Sequence, residues 1–150
     1  MQIKVTKVRD TMTPSLRAKL ALLRDPKPAL AAMGEVVVSV TMRAFTDASL
    51  RPSQWAPLAA STIKRRRADG RGTSPLLRTG LLSRSARVSS LSKSTVVVSS
   101  DRPYAPHQQY GTRRGVPARP FFPFDSSGRP TARVRSLMMT AADRALGLRS

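Results

Sequence analysis

The chain has 150 residues, of which 40% are hydrophobic and 5% aromatic, so one domain is expected with a core built mainly from Leu, Val, Ala and Met. It has no cysteine, which excludes disulfides and thiolate metal sites and fits synthesis in a reducing compartment. Twenty-seven basic residues against eight acids give a net charge of +19, which favours polyanions or acidic protein partners.

The N-terminal "MQIKVTKV" alternates apolar and polar residues, which predicts a short strand or extended arm over residues 1–9. It lacks the apolar stretch of a signal peptide. "TPSLRAKLALLR" reads as a helix, with Thr13 as cap, Pro14 at the first position, and Leu16, Leu20 and Leu23 on one face. "DPKPAL" breaks it and starts another. From Leu30 the apolar positions Met33, Val37, Val40 and Ala44 follow helical spacing, although "EVVVSV" is β-branched and favours strand. The long periodic window predicts a helix ending near Asp47.

Residues 48–57 read as a loop. "PLAASTIKRRRADGRGTSP" predicts a short helix running into a basic loop, and Thr79–Gly80 punctuates two leucine pairs with a helical turn. "ARVSS" and "STVVVSS" form a hairpin joined through "LSK". Pro103 opens a short helix that Gly111 ends with a left-handed residue. "TRRGVPARPFFPF" is extended and stiffened by proline. Pro130 starts a last helix bearing Val134, Leu137, Met138, Ala141 and Ala145 on one face. The order predicts an α+β fold: N-terminal helices, a small antiparallel sheet with a hairpin, and a C-terminal helix, in a single domain over 1–150. No apolar run is long enough to span a membrane, and no internal repeat is present.

Catalytic and metal chemistry finds little material. The single histidine, His107, lies between Pro106 and Gln108, away from any nucleophile-elbow motif, and reads as a packing or hydrogen-bonding residue. No two of the eight acids lie within four residues of each other, so no local carboxylate metal motif exists. "GRG" at 70–72 is neither a Walker loop nor a dinucleotide fingerprint. The expectation is a protein that is not an enzyme and uses no cofactor or metal.

Three features remain. The basic run Lys64, Arg65, Arg66 and Arg67, with Arg71 beyond it, is either a solvated helix end or a contact for DNA or an acidic partner. Trp55, the only tryptophan, is either a core anchor or a subunit contact. "YAPHQQYGTRRGVPARPFFPF", residues 104–124, holds five of the seven aromatic residues among three arginines and four prolines. Its aromatics do not alternate along strands, so docking into a groove suits them better than base stacking. Arginine outnumbers lysine 21 to 6, which reflects either genomic composition or the use of guanidinium forks at interfaces.

"WAPLAASTIK" (55–64), "LLRTGLLSRS" (76–85), "YAPHQQYG" (104–111) and "VPARPFF" (116–122) occur in this order. Together they resemble the phage virion morphogenesis family, the tail-completion proteins of tailed bacteriophages, over about residues 55–122. The resemblance implies a structural subunit of the neck or upper tail, assembled in the host cytoplasm and carried in the virion. It implies a homo-oligomeric ring of six or twelve copies that completes the tail and joins it to the head around the DNA channel. Partners would be the head–tail connector and the tail terminator or tube proteins, with non-specific contact to packaged DNA. Trp55, Arg113, Arg114, Arg119, Phe121 and Phe122 are then candidate subunit-interface residues. Lys64, Arg65, Arg66, Arg67 and Arg71 are candidates for DNA or acidic partners. Substituting Arg119 or Phe121 by alanine is expected to cost assembly while the monomer stays folded. The alternative is a basic nucleic-acid-binding protein, whose affinity would fall steeply with salt.

Overall fold

The computed structural model describes residues 24–148 and, before them, Leu16, Arg17 and Leu20. The arm expected over 1–9, and the Thr13 cap, Pro14 and Leu23, lie outside the described residues. Positions 16, 17, 20 and 24 are helical as expected, and Leu16 and Leu20 are exposed.

The first complete helix, α1, spans Lys27–Arg43. Asp25 accepts from the Lys27 N–H at 3.1 Å, and Pro28 occupies the first turn, where a missing N–H costs nothing. The β-branched run stays helical because Val37, Val40 and Thr41 are all buried. Burying one valine contributes roughly 1.5–3 kcal/mol. Its helix-propensity cost is only a few tenths, about 0.7 kcal/mol at most. The helix stops at Arg43, short of Asp47, because a tight turn follows in which Asp47 N–H bonds the Arg43 carbonyl at 2.8 Å. Asp47 then caps a 3-10 turn over Ala48–Leu50 by accepting from the Ser49 N–H and hydroxyl. The Ser49 hydroxyl, then its N–H, hold the Asp47 carboxyl below the usual carboxylate range.

A nine-residue helix α2, Ala60–Ala68, buries no residue and ends in Asp69 and Gly70. The leucine pairs around Thr79–Gly80 form turns with no helix. Strands β1 (Ala86–Leu91) and β2 (Val96–Ser100) make a two-stranded antiparallel hairpin that pairs Ala86 with Ser100 and Leu91 with Val96. A bulge between Val88 and Ser90 shifts the register. Helix α3 covers Ala105–Tyr110, and α4 covers Ala132–Ala145. The architecture is α+β, as expected.

Helix α1 is the central packing element. It lies against α4 on one side and the hairpin on the other. Gly34 makes the second contact possible, since a Cβ there would sit 2.7 Å from a Val96 methyl and 3.0 Å from a Val88 methyl. The interior has two clusters that meet at adjacent residues of the α1 terminus. Val40, Ala44, Leu50 and Val134 form one, flanked by Val36 and Met138. Phe45, Trp55, Leu82, Ala105 and Phe121 form the other, flanked by Leu76, Leu77 and Phe122. The inward face of α4 differs from the expected one: Val134 and Ala142 are buried, whereas Leu137 and Ala145 are exposed. Apolar residues surround α4 on several sides, so periodicity admitted more than one face. No helix among the described residues is long and apolar enough to cross a membrane.

Thr41 is fully buried, and its hydroxyl has no hydrogen-bond partner among the described residues. An orphaned buried hydroxyl costs roughly 1–3 kcal/mol. Thr41→Val keeps the shape and removes that cost. Thermal unfolding should show a higher midpoint by about 2–4 °C per kcal/mol gained for a chain of this size. A lowered midpoint would show that the hydroxyl is satisfied in solution.

Candidate functional site

The unusual aromatic–arginine stretch is held by α3 and by the loop that carries Trp55. A segment rich in proline is kept out of the interior of a sheet, because each proline lacks a ladder donor. Its remaining polar groups need partners elsewhere. Side chains supply several of them. The Gln109 Oε1 accepts from the Phe121 N–H at 2.9 Å and the Phe122 N–H at 3.1 Å. The Arg119 N–H donates to the Gln108 carbonyl at 2.7 Å. One turn of α3 thus sets the path of residues 119–122.

The return contact runs to the 55–57 loop. Trp55 Nε1 donates to the Pro120 carbonyl at 2.7 Å. Arg119 Nε donates to the Ala56 carbonyl at 2.8 Å, and its Nη2 donates to the Pro57 carbonyl at 2.9 Å. Two segments more than sixty residues apart are therefore fastened in both directions. Burial, and then the like charge of Arg66, pull the Arg119 guanidinium below the usual arginine range. Beneath this clamp Phe121 is fully buried, with its ring 5.7 Å from that of Phe45 and 4.8 Å from that of Phe122. Phe45 meets Trp55 edge-on at 5.5 Å. Arg51 closes the arrangement from the other side. It donates to the Ala44 and Phe45 carbonyls at the α1 terminus and lies 3.9 Å over the Trp55 ring.

Gly111 connects α3 to the loop that follows. Its φ of 75° and ψ of −175° belong to a region essentially reserved for glycine. This is not the left-handed helical cap that the sequence predicts. A Cβ here would lie 2.8 Å from the Val116 carbonyl oxygen and 2.9 Å from the Ala118 nitrogen. The loop 112–118 folds back at that distance, carrying Arg113 and Arg114 outward.

The candidate residues thus separate. Trp55, Arg119 and Phe121 are buried, and their contacts lie within the subunit. Alanine at Arg119 or Phe121 consequently tests the folding of the monomer, contrary to the expectation of a purely assembly-level effect. Phe122 is half-buried, while Arg113 and Arg114 are exposed. Tyr110, which precedes Gly111, is 81% exposed. Tyr110, Phe122, Phe124 and Val98 border a groove of about 630 Å³ between β2, α3 and the 121–128 loop. Of the basic run, Lys64, Arg65, Arg67 and Arg71 are exposed. Arg66 instead turns inward and donates to the Ser74 carbonyl at 2.8 Å and the Gly72 carbonyl at 3.3 Å. His107 is exposed on α3, so of the two expected roles, packing or hydrogen bonding, the packing one is corrected. Among the described residues, no three His, Asp or Glu side chains gather as a metal site would require.

Sequence reading missed Arg51 and Gln109 as structural ligands. The signal for Gln109 was its place in a turn of helix just before a proline-rich run whose N–H groups needed an acceptor. For Arg51 it was the run of helix-terminal carbonyls six and seven residues upstream.

Removing Phe121 or the Arg119 fork should destabilise the single subunit. Phe121→Ala should cost about 3–5 kcal/mol. Arg119→Ala should cost about 2–4 kcal/mol, given two charge-assisted bonds to carbonyls left without donors. Gly111→Ala should cost about 3 kcal/mol from backbone strain together with the close approach. Urea unfolding of the monomer measures all three, and unchanged midpoints would remove the clamp as a source of stability.

No curated protein and no solved structure matches the chain. The family model of the phage virion morphogenesis family matches residues 3–143, nearly the whole length and well beyond the motifs at 55–122. The four ordered motifs fall inside that match, and the clamp accounts for two of them, since it joins Trp55–Ala56–Pro57 to the Arg119–Pro120 segment. The chain belongs to the phage virion morphogenesis family.

Proposed function

We propose that this member of the family is a structural subunit of the phage neck or upper tail, and that copies of it form a ring of six or twelve around the DNA channel, completing the tail and joining it to the head. The observation that carries the reading is the exposed aromatic–arginine edge at Tyr110, Arg113 and Arg114, beside half-buried Phe122. A rigid frame of proline, Gly111 and the buried clamp stands behind this edge. A preorganised edge loses little entropy on docking, and Tyr and Arg are the side chains that dominate contact energies. The balance of burial supports the same reading. Among the described residues thirteen apolar residues are buried, five of them alanines, while eleven large apolar side chains are exposed. Covering by neighbouring subunits is a natural use for such a surface.

Ring neighbours on either side would be the connector and the tail terminator or tube proteins. Lys64, Arg65, Arg67 and Arg71 at the end of α2 would give non-specific, salt-sensitive contact with packaged DNA. A dedicated nucleic-acid binder is the weaker reading. Phe45, Trp55 and Phe121 are buried, so none of their faces is open to a base.

The triple substitution Tyr110→Ala, Arg113→Ala and Arg114→Ala tests the reading, because none of these side chains is buried. The subunit should keep its unfolding free energy within about 0.5 kcal/mol for each exposed change. Sedimentation should show ring species lost, and phage relying on this variant should yield separate heads and tails. Full complementation by the variant, or finished particles that lack the chain, would overturn the proposal.

A further inference from the structure

A second concavity lies on the other side of the clamp, with a volume of about 440 Å³. Arg66, Arg78 and Arg119 all line it, with Leu58, Leu76 and Leu82 among the apolar walls, and no carboxylate does. Three guanidinium groups around one pocket repel each other unless an anion enters. Arg119 is only 7% exposed, so water screens it poorly. A guanidinium has five N–H donors. Arg119 uses two of them on the Ala56 and Pro57 carbonyls, which leaves three without partners among the described residues. Arg66 uses its Nη1 on the Gly72 and Ser74 carbonyls, and its Nη2 and Nε have no partner among the described residues. Arg78 is exposed and makes no hydrogen bond or ion pair among the described residues.

We propose that this pocket is a receptor for an acidic side chain of a different virion protein, with the carboxylate held between Arg78, Arg66 and Arg119 and the adjoining apolar carbons of the partner resting on Leu58, Leu76 and Leu82. The inference deepens the structural reading above by naming the chemistry of one neighbour. A carboxylate suits the planar fork of arginine, which binds it through two parallel bonds. A duplex carries its phosphates on a convex ridge with no apolar group beside them, and the leucine walls would be unused by it. A second copy of this chain is a poor donor of the acid. Each copy carries a net +19, and several of its carboxylates are already engaged. Asp101 pairs with Arg87 and Arg102, while Asp25, Asp47 and Asp125 accept bonds from their own turns.

The test titrates the purified full chain with N-acetyl-Leu-Asp amide at constant ionic strength, followed through the arginine Nε–H resonances. Saturable binding is expected, with shifts at Arg66, Arg78 and Arg119. Arg78→Gln should weaken it about tenfold or more, the effect of losing a charge-assisted fork. Lys93→Gln, an equal change of charge on the exposed hairpin turn, should leave it unaltered. Circular dichroism checks that both variants are folded. Four results overturn the proposal: no saturation, equal binding of N-acetyl-Leu-Asn amide, equal or tighter binding of inorganic phosphate, or equal loss in the two variants. Binding by a chain that never enters rings would sink the neck reading and keep the pocket. Rings without this binding would do the reverse.

Discussion

The structure hangs on one long-range fastening, the pair of reciprocal contacts between the 55–57 loop and the 119–120 segment. Neither segment has regular secondary structure, and both are rich in proline. Loops of that kind expose carbonyls with few N–H groups to answer them. The indole N–H and the guanidinium fork answer three such carbonyls at 2.7–2.9 Å. In doing so they close a lid over Phe121, Phe45 and Leu82. Without the fastening, the aromatic cluster would have no outer wall.

The same solution recurs at two more places. Arg51 spans the Ala44 and Phe45 carbonyls, and Arg66 spans those of Gly72 and Ser74. Each of three arginines therefore bridges two main-chain oxygens across an irregular stretch. A lysine ammonium, a point donor on a flexible stem, could not hold two carbonyls in fixed geometry. This gives the arginine-rich composition a structural use that net charge does not reveal. By contrast, the two ion pairs among the described residues both fall on Asp101 and are at least partly exposed. Ion pairs of that kind contribute little, about 0–1 kcal/mol.

Much of the secondary structure was legible because local signals agreed with one another. The hairpin had two strand-like segments, "ARVSS" and "STVVVSS", with a short link between them, and its strands appear at Ala86–Leu91 and Val96–Ser100. α1 had contradictory signals, and periodicity over a long window outweighed β-branching. The inward face of α4 was misread because Val134, Leu137, Met138, Met139, Ala141 and Ala142 wrap more than half its circumference. Only the neighbouring α1 decides which of them is covered. The roles of Trp55, Arg119 and Gln109 were beyond local reading for a different reason. Their partners are 65, 62 to 63, and 12 to 13 residues away. The ordered motifs marked where these residues are, but spacing alone could not say that two motifs touch. An interface and an interior have the same composition when both are made of aromatics, arginine and proline.

Trp55 has a practical corollary. It is the sole indole of the chain, it sits within the fastening, and a guanidinium lies across its face. Its emission is therefore a built-in optical gauge of the closure of residues 55–57 on 119–120 and of the packing around it. Trp55 is buried and does not border the groove at Tyr110. A spectroscopist can thus watch the subunit's inner integrity while its outer edge is occupied, with no dye or label attached.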